Sequence, residues 1–201
     1  MRRIIFASIL LIFILSAAGC SKKELYISTE DVTSNTMLVK RNGQLQVAIV
    51  EDFSKAYYKL NELEEFVKKE INTYNKNAGG EDVTIEDLKL KNGNAVMLIG
   101  YTGMKHYASF NKVMAAYFAA DTKDVALELP DQYVSAKNGD LVDRSTALKD
   151  GKYRVLVVYE PYDVIVDGSV KYYSNNAKPG KDNVIHSADE GATVIIYKPT
   201  A

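Results

Sequence analysis

Two Asn-Gly pairs, Asn42-Gly43 and Asn92-Gly93, lie fifty residues apart, and each sits between two apolar runs. A two-residue hairpin connection needs positive φ angles, which Asn and Gly tolerate better than other residues. The segments "TMLVKRNGQLQVAIV" and "VTIEDLKLKNGNAVMLIGY" are therefore predicted as antiparallel hairpins. In the second arm of the first, Leu45, Val47 and Ile49 alternate with Gln44, Gln46 and Ala48, so one face is buried and the other wet.

Each hairpin leads into a segment of different period. Leu60, Leu63, Phe66, Val67, Ile71 and Tyr74 fall at helical spacing. Asn61 with Glu64 forms a capping pair, and "NKNAGG" stops the helix. After the second hairpin, Tyr107 and, in the "ASFNKVMAAYFAA" that follows it, Phe110, Val113, Met114, Tyr117 and Phe118 mark a second helical face. The repeated order of strand pair and helix fits either a duplication or a common local arrangement.

From Pro130 the chain changes character. "PDQYVSAKNGDLVDRSTALKDG" is polar and weakly periodic, the pattern of a loop-rich crossing. The short runs "KYRVLVVYE", "YDVIVDG", "SVKYYS" and "ATVIIYK" read as strands, with Asp167-Gly168 as another hairpin turn. "RVLVVY" and "TVIIY" are apolar on both faces, so central or sandwiched positions are expected. The fold class is α+β: antiparallel sheet from strand hairpins, two helices packed on it, and a β-rich C-terminal part. The organisation expected is a leader over 1–19, two consecutive hairpin-helix units over 20–129, and a β-rich part over 130–201 packed with them as one body.

The leader follows from the start of the chain. "MRR" precedes an uncharged run from Ile4 to Ala18. Fifteen residues fall short of the roughly 20 that span a bilayer, but they suit the apolar part of a secretory signal. The run ends "LSAAGCSKK", and Cys20 is the only cysteine, so an internal disulfide is impossible. A nucleophilic thiol needs a base and an electropositive pocket, and a core thiol does not belong beside a cleavage site. An ordinary cleaved signal would discard the thiol.

This ending resembles the lipobox of bacterial lipoproteins. The resemblance implies Ala17, Ala18 and Gly19 as peptidase recognition residues, and Cys20 as the diacylglycerol-bearing first residue of the mature protein. Ala17 stands where that family most often has Leu. A membrane partner through the N-terminal lipid and an extracytoplasmic location follow as expectations. Lys22 and Lys23 can add about 1 kcal/mol each against anionic headgroups. "ELYIS" follows almost at once and reads as a strand, so the domain is expected to ride close to the membrane.

Removing Arg2 and Arg3 leaves 23 basic against 26 acidic residues, a mature charge near −3. That balance argues against a nucleic-acid partner, which calls for a basic face. The stretches "NTMLVKRNGQLQVAIVEDFSKAYY" and "VDGSVKYYSNN…EGATVIIYK" resemble uncharacterised lipoproteins of low-GC Gram-positive bacteria. That resemblance implies a Gram-positive membrane surface and no chemistry.

No phosphate loop, dinucleotide fingerprint or nucleophile elbow occurs. His106 borders an apolar helical face and reads as structural or surface. His186 has Asp189 and Glu190 nearby, but the multi-ligand spacing of a metal site is lacking. No metal and no cofactor are expected. The acids of "EDF", "ELEEF" and "YEPYD" offer carboxylate pairs, and a glycosidase needs two such groups about 5–9 Å apart across a cleft. The acids of the first helix read more simply as a solvated face, and Glu160 and Asp163 as parts of a turn.

Tyrosine is the suggestive residue: 14 occur and no Trp. Tyr153, Tyr159, Tyr162, Tyr172, Tyr173 and Tyr197 concentrate in the C-terminal strands. They can fill half-buried strand positions or offer flat area with a polar tip to a ligand. Tyr159 shares a face with Tyr153, Val155 and Val157 and is expected to be buried. Tyr162 follows Pro161 and is expected to be exposed. Tyr172 and Tyr173 must face opposite ways, one inward and one toward solvent or a partner. Tyr162, Tyr172 and Tyr173 are thus the candidate binding residues. The function expected is a non-catalytic binding domain for an envelope protein, glycan or peptide; the alternative is an envelope hydrolase using a carboxylate pair.

Overall fold

The structure, a computed structural model, describes residues 25–123 and 125–201. The expected leader, with Ala17, Ala18, Gly19 and Cys20, lies outside the described residues. Both Asn-Gly hairpins form. Strand β1 (Thr36–Val39) and strand β2 (Leu45–Asp52) close around Gly43 at φ 85°. Strand β3 (Val83–Lys91) and strand β4 (Asn94–Tyr101) close around Asn92 and Gly93, at φ 51° and 80°. Two successive positive φ values are what a twisted hairpin's two-residue turn demands. β2 and β4 then pair antiparallel from Leu45↔Tyr101 to Asp52↔Asn94, which fuses the hairpins into one four-stranded ribbon.

Helix α1 (Leu60–Ala78) follows β2 and turns Val67 and Ile71 into the core. Phe66 is 61% exposed, contrary to the expected apolar face, because it sits about 100° around the helix from Val67. The expected Asn61 cap is also corrected. The N-cap is Lys59, with no side-chain cap, and Asn61 lies inside the helix. At the far end Gly79 takes φ 81° and donates to the Asn75 carbonyl. The Asn75 side chain holds the exit, accepting from the amides of Asp82 and Val83 and donating to the Val83 carbonyl.

Helix α2 (Met104–Asn111) is shorter than expected. Lys112 ends it at φ 56°, and strand β5 (Ala115–Ala119) begins at once. Tyr117 and Phe118, expected on a helical face, are strand residues. Pairing of β5 with β8 (Arg154–Val158) puts Tyr117 opposite Leu156 and Phe118 opposite Val155. That ladder overrides the local helical period, and Tyr117 and Phe118 pack in different apolar clusters.

The segment expected to be a loop-rich crossing is a hairpin, β6 (Gln132–Ser135) with β7 (Leu141–Asp143), followed by one helical turn, α3 (Arg144–Ala147). The remaining strands are β9 (Asp163–Val166), β10 (Gly168–Tyr173), β11 (Lys178–Pro179), β12 (Ile185–His186) and β13 (Thr193–Pro199). They complete a seven-stranded sheet, β11-β12-β9-β1-β2-β4-β3, and a six-stranded sheet, β5-β8-β13-β10-β6-β7. Pairing is antiparallel except between β1 and β9. The fold is α+β and rich in strand, as the sequence pattern implies.

Asp167-Gly168 is not a hairpin turn. It carries the chain from β9 in the first sheet to β10 in the second, with the Asp167 amide bonded to the Val39 carbonyl and Arg41 paired with its carboxylate at 3.3 Å. A side chain at Gly168 would run into Lys198 of β13, so the crossing depends on glycine.

Three apolar clusters hold the layers. The largest joins the facing sides of both sheets and the two longer helices, with Met37, Val47, Ile71, Tyr107, Leu156 and Tyr197 among its members. A second lies on the other face of the six-stranded sheet and takes in Val155, Val157, Val194 and Ile196. Since Leu156 and Val158 belong to the first, "RVLVV" is buried on both sides, as its composition implies. The third is covered by the segment from Leu25 to Asn35, which contains no strand where "ELYIS" predicted one. Ile27 donates instead to the buried side chain of Gln46, and Thr29 to Asp87, so this strap is held by side chains rather than a ladder.

Candidate functional site

The tyrosines singled out by sequence separate. Tyr172 and Tyr173 do point to opposite faces of β10, but both pack. Tyr173 lies in the intersheet cluster, and half-buried Tyr172 packs against the second cluster. Tyr173 is thus the inward-facing residue of the pair, and Tyr172 on the opposite face keeps part of its surface accessible. Tyr162, expected to be exposed, is half-buried against the main core and accepts a hydrogen bond from the Tyr107 hydroxyl at 3.2 Å. Burial pushes its phenol up. Tyr159 joins Tyr153, Val155 and Val157 on the expected face but is half-buried.

The histidines have defined partners. His106 meets the Tyr74 hydroxyl at 3.1 Å and Asp82 at 3.5 Å, bracing α2 against the end of α1. His186 pairs with Asp163 at 2.5 Å rather than with Asp189 or Glu190, and Asp163 also accepts from the Ser34 hydroxyl. This Ser-Asp-His order puts the carboxylate between the other two groups, so the histidine cannot take the serine's proton. Among the described residues no group of His, Cys, Asp and Glu is arranged to hold a metal ion.

The acids singled out by sequence do not converge; a different set, Glu81, Asp82 and Glu86, lines a small pocket of about 120 Å³ beside β4, where Asp82 accepts from Thr102 and Glu86 from Gln46. Glu62 pairs with Lys59 and Glu64 with Lys68 along the outer face of α1. Glu160 turns one carboxylate oxygen, Oε2, into the protein without a hydrogen-bond partner among the described residues, and nearby Asp163 is committed to Ser34 and His186.

A cleft of about 490 Å³ opens where the β6–β7 turn of one sheet approaches the β11–β12 hairpin of the other. Small-molecule sites commonly run from about 300 to 1,000 Å³. Lys137 and Asn138 stand on one wall, Asn183 and Pro179 on the other, with Tyr173 and Ile185 at the base. The walls are rigid for local reasons. Asn138 bonds to Asp140 through its carboxamide, and Gly139 takes φ 79°. Opposite, Asp182 and Asn183 both adopt positive φ, and the His186 ring lies so close over Gly180 that a Cβ there would come within 2.5 Å of it.

Tyr173 links this cleft to the sequence reading. It is only 8% exposed and lines the cleft; the buried side-chain oxygens that lack a hydrogen-bond partner among the described residues are Tyr133 Oη and Glu160 Oε2, neither of which lines it. Tyr173 is packed in the intersheet core, so little of its ring is left as a stacking surface. Sequence reasoning missed Lys137, Asn138 and Asn183, although "KNG" at 137–139 carries the same turn signal as the two hairpins that were recognised.

It also missed the most exposed aromatic group. Phe53 stacks on Tyr58 with ring centroids 4.9 Å apart, Tyr57 meets Tyr58 edge-on at 4.8 Å, and Tyr57 is 71% exposed. These residues lie in the connector from β2 to α1. No protein-family model, curated protein or solved structure matches this chain.

Proposed function

We propose that the chain is a membrane-anchored extracytoplasmic lipoprotein, tethered through Cys20, whose domain is a non-catalytic binding module for a component of the cell envelope. The single observation that supports a binding role is the cleft of about 490 Å³ between the sheets, lined by Lys137, Asn138 and Asn183 with Tyr173 among its residues. The lining residues include no carboxylate or imidazole side chain, and their amides, hydroxyls and ammonium suit hydrogen-bonded recognition of a polar ligand. The hydrolase reading is favoured less, because in the small pocket where acids gather Asp82 is bonded to Thr102 and Glu86 to Gln46.

Two experiments test this. The Tyr173→Phe variant keeps the packed ring and removes only the hydroxyl oxygen. It should melt with the wild type and lose co-sedimentation with purified cell-wall sacculi; sedimentation equal to wild type overturns the assignment of the cleft. For the tether, Cys20→Ser should abolish acyl labelling and release the protein from the membrane fraction. Labelling that survives this change rules out the anchor.

A further inference from the structure

We infer that the cleft selects a saccharide bearing an anionic group, a carboxylate or a phosphate ester, and that Lys137 is the residue that reads the charge. The inference rests on the binding role just proposed for this cleft.

Lys137 is the only charged side chain that lines the cleft, and it makes no ion pair among the described residues. Exposed Asn183 and the polar end of Tyr173 are the residues that can supply donors and acceptors at two further points of the lining. Three separated polar groups, one of them cationic, match a ring that carries several hydroxyls and one anion. Exposed Pro179 and half-buried Val184 give the apolar surface that the C–H face of a sugar ring covers.

An extended peptide fits less well. The strand beside the cleft, β11, is a sheet edge two residues long, and one of the two is Pro179, which has no N–H to donate. A peptide added as a further strand would find almost no ladder. A cationic ligand is disfavoured because no carboxylate lines the site and the ammonium of Lys137 repels it.

The test is titration of the folded domain, followed by amide NMR, with glucuronate, glucose 6-phosphate, glucose and inorganic phosphate as probes. Glucuronate or glucose 6-phosphate should shift the amides of Lys137, Tyr173 and Asn183. Which of the two binds tighter identifies the anion. Glucose should bind roughly tenfold or more weakly, the usual scale for one lost charge-assisted contact. Lys137→Gln should erase the preference while leaving the melting temperature unchanged, and added salt should weaken only the charged sugars. Equal binding of glucose and glucuronate overturns the charge selection and leaves the binding role standing. Inorganic phosphate binding as tightly as glucose 6-phosphate overturns the saccharide assignment. Failure of all four probes to perturb the cleft overturns the inference, while sacculus binding by the wild type and its loss in Tyr173→Phe still judge the binding role separately.

Discussion

Tyr107 and Tyr162 meet hydroxyl to hydroxyl at 3.2 Å, with Tyr107 donating, and their rings cross edge-on at 6.4 Å. The contact ties α2 to the segment that enters β9, two elements 55 residues apart in sequence. Tyr162→Phe should cost about 0.5–1.5 kcal/mol, the worth of one hydrogen bond. Tyr162→Ala should cost more, roughly 2–4 kcal/mol, by opening the core beside α2. Urea denaturation of both variants checks the order; an Ala variant as stable as the Phe variant would show that the ring contributes nothing.

Alkaline pH should destabilise this protein early. Burial pushes the phenols of Tyr101, Tyr107 and Tyr197 well above the ordinary tyrosine value. Their folded-state pKa values exceed the unfolded value near 10, so the stability they contribute is complete below about pH 10. Above that, the unfolded chain releases protons that the folded chain retains, and stability falls by about 1.4 kcal/mol per pH unit for each such group. Melting curves between pH 9 and 12, read together with tyrosinate absorbance, should show ionisation arriving with unfolding; ionisation of all tyrosines in a still-folded protein would contradict it.

The strap over the third cluster should loosen in acid. The Thr29 hydroxyl, 2.6 Å away, holds the Asp87 carboxyl below its usual range, and Lys89 acts in the same direction. A depressed carboxylate stabilises the fold above its unfolded pKa and loses that contribution as pH falls through the folded value. Thr29→Val should therefore lower the melting temperature at pH 7, and the gap to wild type should close below about pH 4. A gap that is constant across that range would mean that the carboxylate is not involved.

Arg41 and Asp167 hold the chain at the point where it changes sheets. Arg41→Ala leaves a carboxylate that is 11% exposed without its cation, at a cost of about 1–3 kcal/mol. The double variant Arg41→Ala with Asp167→Asn should recover part of that loss. No recovery in a thermal melt would place the effect of Arg41 in packing rather than charge.

Tyr172 and Tyr173 divide structural from ligand roles. Tyr173→Ala removes a buried ring and should cost roughly 3–5 kcal/mol, whereas half-buried Tyr172→Ala should cost about 1–3 kcal/mol. Calorimetry that finds Tyr172 the more costly of the two would reverse the assignment of faces along β10.

The sequence by itself determined the features whose cause is local. Asn-Gly at 42–43 and 92–93 permits the φ values of tight turns, Gly79 permits the left-handed end of α1, and "RVLVV" has no polar residue to spare for a wet face. Only the tertiary structure decided the rest, because the cause lies far along the chain. Residues 115–119 continue an apolar helical period and become a strand because β8 offers them a ladder, with Tyr117 and Tyr197 bringing their hydroxyls within 3.1 Å. Asp167-Gly168 has the residues of a hairpin turn, yet it crosses between sheets because β9 pairs with β1 and β10 with β13. The cleft is the extreme case. Lys137, Tyr173 and Asn183 come from three elements on two sheets, and no periodicity or spacing in one segment records that packing brings them together.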